Sequence, residues 1–140
     1  MEQPELGFAD GLAQLSFVVQ DALARRAAGH YLSVTQMRLL TVLCGRRPGI
    51  SELAAALDLD KSSVTGLVDR AAARGWVTRV RNEADRRAVE VVLTEQGRKL
   101  VGVVEKRVAR DIATIVGGLS GADQRKLAAL ASRVVGRVNS

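Results

Sequence analysis

Residues 51–98 read SELAAALDLDKSSVTGLVDRAAARGWVTRVRNEADRRAVEVVLTEQGR, and their changing periodicity decides the fold. Ser51 is placed to cap a short helix over 52–57, in which Leu53, Ala54 and Leu57 share one face. Asp58-Leu59-Asp60 reads as a tight turn, and Asp60 can cap a second helix from Lys61 to Arg74. There Val64, Leu67, Val68 and Ala71 recur at helical spacing and face a core. The opposite face shows Ser62, Thr65, Gly66 and Asp69, with Lys61 and Arg70 at its margins. Gly75 stands where a left-handed residue ends a helix. The period then drops to two. Trp76 to Arg81 alternates apolar and polar, Ala88 to Leu93 is a second β-prone run, and the polar stretch Asn82 to Arg87 joins them as an antiparallel hairpin.

Upstream, Ser33-Val34-Thr35-Gln36 fits a capping box that opens a helix, with Met37, Leu40 and Leu43/Cys44 as its buried face. Gly45 and Arg46-Arg47-Pro48-Gly49 end it. Before it, Phe8, Leu12, Leu15, Val19 and Leu23 mark one face of a helix over about 6–28, with Gly29 as its C-terminal stop. Downstream, Thr94 caps a long helix over about 95–116 with Val101, Val104, Val108, Ile112 and Ile115 inward. Gly117-Gly118 breaks it, and Ser120 to Asp123 opens a last helix to about Val138, striped by Leu127, Leu130, Val134 and Val138. The fold class expected is mainly α with a small β-hairpin: a winged helix-turn-helix lobe with helices on either side.

Composition narrows the function. At 140 residues, 47% of them apolar, the chain suits one domain with appended helices and needs no disulfides. One cysteine, Cys44, and one histidine, His30, exclude a disulfide framework and any multi-cysteine or multi-histidine metal site, so no metal or cofactor is expected. Neither paired carboxylates nor a glycine-rich phosphate loop nor a nucleophile–base set supports an enzyme. No apolar run approaches the roughly 18 residues that span a bilayer. The acidic start MEQPELGFADG lacks the positive region of a secretory signal, so a cytoplasmic location is expected. The net charge of +6 is uneven: residues 1–30 carry −2, 31–93 carry +3 and 94–140 carry +5. Such an excess points to a polyanion, nucleic acid before membrane.

The pattern says where DNA would go. A helix fits the major groove, and small polar side chains near its N-terminus reach base edges, while the helix terminus itself attracts phosphate. A hairpin alongside sets arginines beside the minor groove, where negative potential concentrates. Gly66 costs a helix interior about 1 kcal/mol against alanine, which a close approach to DNA would explain.

The same stretch resembles the MarR (multiple antibiotic resistance regulator) family. SELAAAL is similar to the helix before the turn, KSSVTGLVDR to the recognition helix, and RGWVTR to the lead into the wing. DRRAVEVVLTEQG is similar to the wing's return strand and the start of the long helix; Asp85, Arg87, Val91, Leu93-Thr94 and Gly97 are its most specific part. LSVTQMRLL at 32–40 extends the likeness, which is weakest over 1–30 and 118–140.

The resemblance implies a sequence-specific transcriptional regulator, a repressor, binding a pseudo-palindrome of double-stranded DNA as a homodimer. It divides the chain into an N-terminal dimerisation helix (1–32), a DNA-binding lobe (33–93) and C-terminal dimerisation helices (94–140). The outer helices also carry more apolar surface than such a lobe can cover, which a second copy would bury. Lys61, Ser62, Ser63, Thr65 and Gly66 are the expected DNA contacts of the recognition helix. Arg70 either reaches phosphate or pairs with Asp85; Arg86 sits in the wing loop; the resemblance assigns Arg87 to the minor groove with Asp85 as its organiser. Arg79 and Arg81 bind phosphate or nothing. His30 and Tyr31 lie at the junction where relatives take small phenolic effectors, though a structural role suits both better; Arg25-Arg26 offers charge to an anionic one, though a solvated basic helix end is the simpler reading. Cys44 reads as an ordinary half-buried thiol rather than a redox sensor, having no partner cysteine. The rival reading is an architectural, non-specific DNA-binding protein without an effector.

Overall fold

Local capping fixes most of the element boundaries in the computed structural model, which describes residues 4–140. The order is α1 (Phe8–Ala28), α2 (Val34–Val42), α3 (Ile50–Leu57), α4 (Lys61–Ala73), β1 (Val77–Arg81), β2 (Val89–Leu93), α5 (Glu95–Ile115) and α6 (Gly121–Val138). The chain is thus mainly helical with a two-stranded antiparallel hairpin. It forms two compact units, dividing after Val108.

The capping box of α2 is complete: Gln36 N–H donates to Ser33 Oγ at 3.0 Å, and the Gln36 side chain accepts from Ser33 N–H at 3.2 Å. Asp58, in the left-handed region at φ 53°, makes the turn between α3 and α4, and Leu59 N–H returns to Ala54 O at 3.0 Å. Gly75 does the same after α4 at φ 80°, with Trp76 N–H returning to Ala71 O.

Two helix boundaries, one stop and one start, differ from the sequence reading. α1 ends at Ala28, but Gly29 stays right-handed and the reversal falls on Tyr31 at φ 59°. The bond that closes it runs from Leu32 N–H to Ala27 O, so the turn is set by that longer return rather than by the glycine. Ser51 does not cap α3, which starts at Ile50 with Gly49 as its cap. Pro48 O accepts from Val91 N–H at 2.8 Å, which holds residue 48 alongside β2 and hands the chain into the helix before Ser51.

In the first unit Met37, Leu40, Leu53, Val64, Val68 and Val91 are among the fully buried side chains. The hairpin pairs Val77 with Leu93 and Arg81 with Val89, and Val77, Val91 and Leu93 are its buried residues. The junction of hairpin and α5 is tight. Thr94 Oγ1 donates to Gly75 O at 2.7 Å and accepts from Gly97 N–H at 3.0 Å, so it caps α5 as expected. A Cβ on Gly97 would stand 2.1 Å from Trp76 O, so no side chain fits there.

The second unit holds the end of α5, the Gly117-Gly118 turn and α6. Ser120 Oγ accepts from Asp123 N–H, and Gln124 Nε2 donates to Val116 O and Leu119 O, closing the turn. Every residue of α6 is exposed in the single chain, Leu130 by 51%, Val134 by 62% and Val138 by 77%. In the first unit, Phe8 and Leu12 of α1 are uncovered too, by 94% and 64%.

Candidate nucleic-acid interface

α4 buries Val64, Leu67, Val68 and Ala71, which leaves Lys61, Ser62, Ser63, Thr65, Asp69 and Arg70 exposed and Gly66 half-buried. The polar side chains near its start are already engaged. Asp60 accepts from Ser63 N–H at 2.8 Å, from Ser62 Oγ at 2.7 Å and from Ser63 Oγ at 2.8 Å. Those bonds, the Ser62 hydroxyl first, hold the Asp60 carboxyl down to about 2. Asp60 caps this helix terminus as the sequence reading has it, a carboxylate that answers the helix dipole. Thr65 Oγ1 donates to Lys61 O at 2.8 Å. The protons of Ser62, Ser63 and Thr65 are therefore committed within the chain, and what these hydroxyls present outward is acceptor capacity.

Gly66 has no internal reason to be glycine. A Cβ there would meet only Arg70 Nη1, at 3.4 Å, the end of a flexible side chain. Its backbone is helical and α4 passes through it unbroken. Of the two readings left open for Arg70, pairing with Asp85 is not what the structure shows: Asp85 turns to Arg87, accepting from its N–H at 3.1 Å and lying 3.9 Å from its Nε. The Arg70 guanidinium extends back along α4 towards Gly66.

The wing is built by two side chains. Asn82 Oδ1 accepts from Ala84 N–H at 2.8 Å and Asp85 N–H at 3.0 Å, and Asp85 then takes the Arg87 amide. Sequence reading gave Asn82 no role, although an Asn opening a polar loop is the usual signal for such a turn. Arg81 Nη1 braces the loop through Arg86 O at 2.8 Å. Arg86 is exposed, and the Arg87 side chain is 98% exposed. Arg79 pairs with Asp69 at 2.5 Å, tying β1 to α4, so it serves the lobe's geometry. Arg47 lies 3.5 Å from Glu90 and ties the α2–α3 loop to β2.

Away from this face, Cys44 is exposed rather than half-buried, and of the expected pair Leu43/Cys44 only Leu43 is buried. Its Sγ donates to Leu40 O at 3.6 Å. Partial desolvation, and then the Glu105 carboxylate, push its pKa above the ordinary thiol value, which disfavours the reactive thiolate. His30 is half-buried with Nε2 enclosed and unpaired, while Tyr31 is 86% exposed. Among the described residues no His, Cys, Asp and Glu cluster could hold a metal, and no helix is long and apolar enough to cross a membrane.

A helix-turn-helix with a hairpin wing, a polar exposed recognition face and arginines on the wing loop define a winged helix-turn-helix DNA-binding protein. The family model "MarR family" matches residues 32–88, which run from the start of α2 into the wing. The chain is 32% identical over 130 residues to the HTH-type transcriptional regulator PecS of Dickeya dadantii, covering 88% of this chain and 76% of that one. It belongs to the MarR family of transcriptional regulators, DNA-binding proteins and not enzymes. Solved structures agree on the fold. RV1404 from Mycobacterium tuberculosis superposes with a TM-score of 0.84 at 22% identity, over 98% of this chain and 97% of that one. CouR from Rhodococcus jostii RHA1 bound to p-coumaroyl-CoA does so at 0.69 and 26% identity, over 88% and 87%.

Proposed function

We propose that this regulator represses transcription as a homodimer on a pseudo-palindromic operator. The observation that carries the reading is the uncovered apolar surface of α1 and α6, on which Phe8, Leu12, Leu130, Val134 and Val138 stand open in the single chain. Exposed apolar stripes of that length need a partner, and a second copy supplies the same stripes by symmetry. Residues 1–32 and 94–140 then form the dimerisation part, and 33–93 the DNA-binding lobe. Two copies of α4 meet successive major grooves about 34 Å apart.

In this reading Lys61, Ser62, Ser63, Thr65, Gly66 and Arg70 face the major groove. Arg86 and Arg87 enter the adjacent minor groove, with Asp85 and Asn82 shaping the loop that presents them. The protein works where the chromosome is, in the cytoplasm. Release by an effector is part of the same proposal. The enclosed, unpaired Nε2 of His30 at the α1–α2 corner supports a small phenolic or anionic ligand, and CouR, bound to p-coumaroyl-CoA, is a relative in shape.

The test is to sequence the genomic DNA that the pure chain retains, then to footprint it while measuring mass by light scattering. A dimer protecting one palindromic site supports the reading. A stable monomer at micromolar concentration overturns the dimer, and uniform coating of DNA overturns sequence-specific control.

A further inference from the structure

Arg74 closes α4 as its C-terminal cap residue, and nothing in DNA contact requires it. Its guanidinium reaches a segment 43 residues earlier in the chain. Nη1 donates to Tyr31 O at 2.8 Å and Nη2 to His30 O at 3.1 Å. Its central carbon stands 3.8 Å from the centroid of the Trp76 ring. The two carbonyls belong to the turn that ends α1, where the left-handed Tyr31 and the return of Leu32 N–H to Ala27 O fix the backbone. A helix C-terminus of this kind attracts a cation. Trp76 is itself held twice: its N–H bonds Ala71 O in α4, and its carbonyl accepts Thr94 N–H at the start of α5. One side chain therefore joins the end of the recognition helix to the end of α1 and, through Trp76, to the beginning of α5.

We propose that Arg74 is a positioning residue for DNA reading: it fixes the angle of α4 against α1 and α5, so operator affinity depends on a side chain that does not touch DNA. The inference rests on the reading of α4 as the DNA-facing helix. Arginine suits the task because its planar fork bonds two neighbouring carbonyls while its face lies on the indole. Lysine keeps the charge but cannot do both. The contribution to fold stability is small, because Arg74 is exposed and water can take over both carbonyls. Water cannot replace the angular restraint between the helices.

The experiment uses the full chain with Arg74→Ala or Arg74→Lys. Binding is measured on the tightest duplex from the sequencing experiment and on a random duplex of equal length, across a salt series. We expect Arg74→Ala to weaken specific binding roughly tenfold, a common size for coupling between elements. Random-duplex binding and the salt slope should stay as in the wild type, since no phosphate contact is lost. Arg74→Lys should recover less than half of the loss. Trp76, the only tryptophan in the sequence, should change emission in Arg74→Ala as the cation leaves its ring. Unchanged specific affinity, or full rescue by lysine, overturns the proposal. A slope shallower by about one contact makes Arg74 a phosphate ligand and also overturns it. Equal losses on both duplexes with a lowered melting temperature reduce it to a structural residue. If the alanine variant does not fold, the lysine variant decides by the same criteria. Thr65→Ala and Arg87→Ala run alongside. If both leave specific binding intact, the DNA-facing reading falls and takes the proposal with it. If both weaken binding and Arg74 variants do not, the Arg74 proposal alone fails.

Discussion

Gly66→Ala should make the protein more stable and a worse DNA binder. The added Cβ meets only Arg70 Nη1, at 3.4 Å, and a guanidinium end can move by the few tenths of an ångström required. Nothing in the lobe opposes the change, so α4 gains the full difference in helix propensity, about 1 kcal/mol. For a chain of this size that raises the melting temperature by about 3 °C. On DNA the sign reverses. Gly66 lies between Ser62 and Arg70 on the exposed side of α4, where the proposed interface has the backbone against the groove. A methyl inserted into a close-packed contact costs about 1–3 kcal/mol, or roughly fivefold to 150-fold in affinity. Calorimetry of the free protein and fluorescence anisotropy with a labelled operator read the two effects separately. Raised stability with unchanged affinity would refute the reasoning, leaving Gly66 as a tolerated defect on a face that never meets DNA. Lowered stability would refute the claim that the lobe has room for a Cβ.

Gly97→Ala is the opposite case, because its Cβ would stand 2.1 Å from Trp76 O; we expect a loss of about 4 kcal/mol or failure to fold, read by urea denaturation. Asp60 sets an acid limit. Its folded carboxyl sits at about 2 against 3.8 for an unperturbed one, so its cap contributes fully above pH 3.8 and is lost as pH falls through 2. Asp60→Asn should therefore flatten the stability curve between pH 2 and 4, and an identical curve would show that the cap carries no pH dependence. Arg87→Ala should cost about 1–3 kcal/mol of operator binding and leave the melting temperature alone, since its side chain is 98% exposed. Arg125→Ala, in α6, should cost less than Arg87→Ala at the same salt, and equal losses would remove the wing assignment.

What was legible in the sequence was what is local. The caps at Ser33, Asp60, Thr94 and Ser120 follow from a hydroxyl or carboxylate meeting an amide three residues on, and each is present. The hairpin was legible because two β-prone runs rich in valine flank a polar loop, and the observed strands begin one residue inside the expected runs. Contacts between distant segments were not legible. Arg74 to the α1 turn, Asp69 to Arg79 and Pro48 O to Val91 N–H have no periodic signature, since each depends on where a whole element packs. Cys44 was misplaced for a related reason. Helical spacing alone offers Leu43 and Cys44 as alternatives for the inward position at the end of α2, and packing takes Leu43. The hydroxyls of α4 were read as open to bases, yet spacing alone cannot show that a neighbouring carboxylate or carbonyl has already taken their protons.

These long-range ties bear on where control can act. Asp69 and Arg79 join α4 to β1, Pro48 O joins the α2–α3 segment to β2, and Thr94 joins α5 to the end of α4. Asn82, Asp85 and Arg81 fix the wing loop from within. A recognition helix and wing held by that many bonds present one geometry, and an effector would have to break several of them to change it. The spacing between two such lobes has no comparable restraint inside a single chain. In the proposed dimer it would depend on how the uncovered faces of α1 and α6 meet the second copy and on how firmly the α1 turn holds α4, which is where Arg74 stands. In that proposed dimer a ligand acts by binding one spacing better than the other, and the shift it produces equals that difference in affinity. On this argument the lobe should superpose unchanged between bound and released states, and the distance between the two copies of α4 should not. Solution scattering of the dimer with and without an effector measures that distance, and an altered lobe at constant spacing would refute the argument.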